Sequence, residues 1–206
     1  MTGERERTDH QPRSGGFLRE LAFLVVTALV IALVIKTFVA QAFYIPSGSM
    51  LPQLQVGDRI VVSKLAYDFH DPRRGDVVVF DAPNPAPQPE RALPARAVKT
   101  VLEAIGVGAP STDEFVKRVI GLPGETVEGK DGHVYVNGRQ LIEPYLPSGT
   151  VTEPFGPVMV PPGHLWVMGD NRSNSADSRV FGPIKESSVV GRAFVKVWPV
   201  TRPSFL

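Results

Sequence analysis

Ser49, in Ile45-Pro46-Ser47-Gly48-Ser49-Met50, and Lys117, in Phe115-Val116-Lys117-Arg118-Val119-Ile120, have the residue types of a nucleophile and its base. A serine in a turn bounded by proline and glycine is accessible, but it attacks only if a neighbour removes its proton. A lysine can do this once its amine is neutral, which needs a large fall from a usual pKa of about 10.4. Withdrawing the ammonium from water produces that fall. The strand period of two puts Phe115, Lys117 and Val119 on one face and Val116, Arg118 and Ile120 on the other, so Lys117 has apolar neighbours on its own face. A third stretch, Gly169-Asp170-Asn171-Arg172-Ser173-Asn174-Ser175-Ala176-Asp177-Ser178-Arg179, is too dense in hydrogen-bonding side chains for an ordinary turn. Each piece also has a plainer role: a solvated strand lysine, serines that only shape a turn, loop charges worth little.

These residues need elements to hold them. Residues 21–35 form an uncharged apolar run which, extended past Lys36 to Ala40, reaches the length that a helix needs to cross the hydrocarbon core, about 20 residues. Arg5, Arg7, Arg13 and Arg19 precede it and Lys36 alone lies close behind, so the positive-inside rule predicts residues 1–20 as a cytoplasmic tail, 21–40 as one transmembrane helix and 41–206 outside the cell membrane. A competing reading takes Ala40-Gln41-Ala42 as a small-x-small cleavage site that ends a secretory signal peptide.

Beyond the span the pattern is short β-branched runs between turn residues: Arg59–Lys64, Asp76–Phe80, Phe115–Ile120, His164–Met168 and Gly191–Trp198. Asp131-Gly132 and Asn137-Gly138 flank His133–Val136 and predict a small meander with tight hairpin turns. Residues 82–112 interrupt the pattern with a Pro/Ala-rich insertion, whose prolines cannot donate to a sheet, followed by a short amphipathic helix from Ala95 to Ile105. The 206 residues carry a formal net charge of +1 and no long basic run, which gives no footprint for a nucleic-acid partner. With no cysteine there is neither a disulfide framework nor a thiolate zinc site. His70, His133 and His164 lie in no context that builds a histidine triad or a metal site.

In order and composition the IPSGSM turn after an apolar span, GDRIVVSKL, FVKRVIGLPGE and GDNRSNSADSR resemble the bacterial type I signal peptidases. The resemblance covers residue 20 to the C-terminus apart from the insertion. It implies a mostly β, antiparallel catalytic domain with a smaller β insertion at 125–158, preceded by one transmembrane helix. It also implies a Ser/Lys dyad of Ser49 and Lys117, an oxyanion hole of Ser47 and the Ser49 N–H, and Ser175 orienting the lysine. Structural ion pairs from Asp170 to Arg118 and from Asp177 to Arg179 are implied too. Ser173 stands where many members carry aspartate. The expected activity is removal of signal peptides with small-x-small cleavage sites from exported preproteins, at the bilayer and near the export machinery, without metal or organic cofactor. A non-enzymatic anchored β-domain and a self-cleaving repressor-type Ser/Lys protease are the alternatives.

Overall fold

The computed structural model describes residues 14–34, 40–83 and 114–206. Helix α1 (Ser14–Val34) is followed by strands β1 (Ala40–Tyr44) and β2 (Arg59–Ser63), a single helical turn α2 (Ala66–Phe69), and β3 (Val77–Asp81). Then come β4 (Glu114–Gly121), β5 (Thr126–Lys130), β6 (His133–Val136), β7 (Arg139–Gln140), β8 (Phe155–Met159) and β9 (His164–Met168). A short helix α3 (Ser178–Phe181) leads into β10 (Ile184–Lys185), β11 (Val189–Trp198) and β12 (Ser204–Phe205).

The strands form two antiparallel sheets. The larger has the order β1-β2-β11-β3-β4-β9-β10, with β12 also paired to β11; the smaller has the order β7-β6-β5-β8. The mostly β, antiparallel expectation therefore holds. The smaller sheet's turns follow their sequence signals: Asp131 and Gly132, then Asn137 and Gly138, all have positive φ, which a two-residue hairpin turn needs to match strand twist. The fully buried Val127, Val134 and Val160 pack with Ile120 of β4 and with Trp166 and Met168 of β9, so the smaller sheet shares a core with the strand that carries Lys117.

A second core fixes the turn that carries Ser49. Ile45, Met50 and Leu54 are almost wholly buried against Phe43, Ile60, Val62, Val77, Val79 and Ala193. At about 1.5–3 kcal/mol for each side chain removed from water, these anchors resist displacement of the serines between them. The backbone closes the loop at its base, where Ile45 N donates to Asp58 O (2.9 Å) and Gly57 N to Ile45 O (3.0 Å).

The N-terminal helix departs from the expected boundaries. It begins at Ser14, so it takes in Arg19 and Glu20, and Ala40 belongs to β1, paired with Ser63. Among the described residues no helix is long and apolar enough to cross a membrane, and the expected span runs on into residues outside those described. Most of the Pro/Ala-rich insertion, including the Ala95–Ile105 helix, also lies outside the described residues.

Candidate active site

Lys117 is 4% exposed on β4, in register with Val78 of β3. Its Nζ donates to Ser49 Oγ at 2.7 Å and to the Val116 carbonyl at 3.0 Å, with the Phe115 ring centre 5.5 Å away. Burial pushes its pKa down from 10.5 to about 8, against the opposing pull of the Asp177 and Asp170 carboxylates. Ser47 is exposed on the same turn, and its hydroxyl donates a long bond of 3.4 Å to Ser49 Oγ. One accessible hydroxyl thus lies between a second hydroxyl and an amine that is partly neutral near neutral pH. That arrangement can remove a proton from Ser49 and place a donor beside the carbonyl it attacks.

The polar stretch folds as a loop latched to both catalytic elements. On the nucleophile side, Asn171 N donates to Ser49 O (3.0 Å) and Asn171 Nδ2 to Gly48 O (3.0 Å). On the lysine side, the buried Arg118 forms a fork onto Asp170, Nε to Oδ1 at 2.8 Å and Nη2 to Oδ2 at 2.7 Å. Arg118 also donates to Gly75 O (2.7 Å) and to Gln53 Oε1, which ties the strand back to the Ser49 loop. Period-two alternation accounts for this: Arg118 leaves the strand on the side opposite Lys117.

Asp177 holds the far end of the loop. It accepts from Arg179 Nε (2.9 Å), Arg179 Nη2 (2.8 Å) and Gly169 N (3.0 Å). Burial by itself pulls the Asp177 carboxyl upward, but the Arg179 and Gly169 bonds outweigh it and hold the group below the ordinary carboxylate range. The two ion pairs expected of Asp170 and Asp177 are therefore formed, both with wholly buried carboxylates.

Ser175 differs from expectation. Its hydroxyl is near enough to help stabilise the Asp177 charge, yet it is buried without completing a hydrogen bond, and no bond joins it to Lys117. Packing is the reason: Ser175 is wedged over Gly169, where an added Cβ would collide with Ser175 Oγ and with the Ser49 carbonyl oxygen. Ser173 is exposed, and its hydroxyl donates a long bond of 3.4 Å to Asn171 Oδ1.

Sequence reasoning gave no role to Gln53, Asn171, Arg172, Glu143 or Tyr145. Asn171 and Arg172 stood inside the polar motif, but Glu143 and Tyr145 have no local signal, because their partners are distant in sequence. Among the described residues no group of three or more His, Asp or Glu side chains could hold a metal ion.

Residues 18–198 match the signal peptidase family, peptidase S26. A probable signal peptidase I-2 of Synechocystis sp. is 43% identical over 187 residues, covering 91% of this chain and 76% of that protein. The signal peptidase I of Leptolyngbya laminosa is 44% identical over 193 residues, covering 93% and 85%. That of Mycobacterium tuberculosis is 42% identical over 229 residues, covering 95% and 78%. With a match across most of its length and relatives at this identity, the chain belongs to the signal peptidase family, peptidase S26.

Proposed function

We propose that this protein is a membrane-bound serine endopeptidase that removes N-terminal signal peptides from exported preproteins, with Ser49 as nucleophile and Lys117 as general base. The 2.7 Å approach of a desolvated lysine amine to Ser49 Oγ carries this reading. Once neutral, Nζ accepts the Ser49 proton while Oγ attacks the scissile carbonyl. Ser47 Oγ and the Ser49 N–H hold the oxyanion that develops. Lys117 then protonates the leaving amine, and in the second half it activates water against the acyl-enzyme. Asp170, Arg118, Asp177 and Arg179 maintain the loop around the pair. The substrate adds as a β-strand, its alternate small side chains entering shallow pockets, as a small-x-small preference requires.

The apolar segment at residues 21–40, which opens within helix α1, serves as the anchor, with the tail at residues 1–20 in the cytoplasm and residues 41–206 on the outer side, near the export machinery. Leu21, Phe23, Leu24, Val25, Val26, Leu29, Val30 and Ile31 are all exposed on the helix, and a helix apolar on every side requires an apolar partner. Cleavage after Ala42 fits poorly, since Ala40 to Ala42 pair with Val61 to Ser63 in β1 and would be lost from the sheet. Incubating the detergent-solubilised protein with a preprotein tests the activity: the signal peptide should be released by the parent and not by Ser49→Ala. Equal cleavage by both would dismiss the dyad, and cleavage by neither would dismiss the enzyme.

A further inference from the structure

Residues 141–154 join β7 to β8 in the smaller sheet and contribute no atom to Ser49 or Lys117, yet they bring a nearly buried acid to the back of the catalytic loop. The Glu143 side chain is 10% exposed and Arg172, its ion-pair partner, 1%. Both Arg172 Nη atoms donate to Glu143, Nη1 to Oε2 at 3.0 Å, in a two-point fork that fixes the guanidinium's plane as well as its position. The same guanidinium donates to Thr152 Oγ1 (3.0 Å) and to the Gly169 carbonyl (3.2 Å). A second route runs through Tyr145, whose hydroxyl donates to Glu143 Oε1 at 2.6 Å and whose ring lies 4.0 Å from Arg118 Cζ. Burial first, and then the Glu143 charge, push the Tyr145 pKa up, so the hydroxyl stays a donor. Arg118 in turn holds Asp170.

Both routes converge on Gly169, Asp170 and Asn171, and Asn171 holds the Gly48 and Ser49 carbonyls. We propose that Glu143 and Tyr145 are positioning residues through which the smaller sheet fixes the 169–172 segment, and with it the Ser49 turn, for turnover. This rests on the Ser49–Lys117 reading. Without the Glu143 charge, Arg172 is a buried cation lacking its counter-charge and moves toward water, taking its bond to the Gly169 carbonyl with it. A displacement of about 1 Å at the reacting atoms can cost on the order of 10²-fold in rate.

The test uses the full-length protein in detergent, with a preprotein substrate, below each variant's Tm. Glu143→Gln keeps the shape and removes the charge, and its kcat should fall on the order of 10-fold or more, with KM within about twofold of the parent. Tyr145→Phe keeps the ring over Arg118 and should fall less; Tyr145→Leu removes the ring and should fall as far as Glu143→Gln. A folded Glu143→Gln protein that melts earlier but keeps the parental kcat overturns the proposal, and so does a loss confined to KM. If Glu143→Gln does not fold, Tyr145→Phe decides alone: a lower kcat at unchanged KM supports the proposal, and a parental kcat overturns it. An active Ser49→Ala protein would instead sink the dyad itself.

Discussion

Replacing Lys117 by Met keeps chain length and apolar volume while deleting the amine, and its consequences can be worked out for both rate and stability. A lysine with a pKa of 10.5 would be neutral in roughly 0.03% of molecules at pH 7; held at about 8, Lys117 is neutral in roughly 10%. Desolvation therefore supplies a roughly 300-fold gain in competent base, and kcat/KM should climb tenfold for each pH unit up to a limb near 8, then level off. The same shift opposes folding. Below pH 8 both folded and unfolded chains hold the proton, and the folded one does so at a cost of about 3 kcal/mol, at about 1.4 kcal/mol for each pH unit between the two pKa values. Between pH 8 and 10.5 the unfolded chain binds more protons than the folded one, so stability rises with pH and the penalty is gone above 10.5. Lys117→Met should thus be more stable than the parent at pH 7, by up to about 3 kcal/mol less about 1 kcal/mol for the Val116 carbonyl left without its donor. The advantage should shrink from pH 8 upward, as read by denaturant melts at several pH values, while turnover is nearly lost. A folded Lys117→Met protein with substantial activity, or a parental limb near 10, would refute this reasoning.

Ser47→Ala should lower kcat on the order of 10²–10³-fold with little change in KM, and Ser47→Thr, which keeps the hydroxyl, should retain more; steady-state kinetics on a preprotein decides, and parental activity in the Ala variant would leave Ser47 a turn former. Gly169→Ala drives a methyl into Ser175 and the Ser49 carbonyl, so it should nearly abolish activity while far-UV circular dichroism stays that of the parent.

Much of the framework was legible because the signals are local. The runs at Arg59–Lys64, Asp76–Phe80 and His164–Met168 gave strands β2, β3 and β9 to within a residue, since β-branched residues between turn formers have few other uses. Asp131-Gly132 and Asn137-Gly138 announced their hairpins through the positive φ that such turns demand. Strand β1 was missed because Ala40 to Tyr44 continue an apolar run, and only its pairing with β2 shows where the helix has already ended. Strand β8 was missed because Gly156-Pro157 reads as a turn, whereas tertiary pairing with β5 overrides that preference. At the site, Ser49, Lys117 and the polar loop stood out by composition. The Ser175 position did not follow, because it depends on which neighbours crowd Gly169, a matter of packing that no spacing encodes.

The electrostatics of the loop explain why it is rich in arginine as well as in acid. Asp170 and Asp177 are needed where they are: one receives the Arg118 fork from the catalytic strand, and the other closes the loop on itself through the Gly169 amide. Yet each carboxylate raises the pKa of the lysine that must be neutral. A bare buried acid would undo the desolvation that makes Lys117 a base. Arg118 on Asp170 and Arg179 on Asp177 offset those charges at 2.7 and 2.8 Å, and burial is the largest influence on the amine. Arg172 and Glu143 repeat the device one layer further out, adding a cation and an anion together. Removing Arg118 or Arg179 would therefore do more than loosen the loop. It would return negative potential to the site and shift the activity limb to higher pH, in the direction that leaves less of the enzyme competent at neutrality.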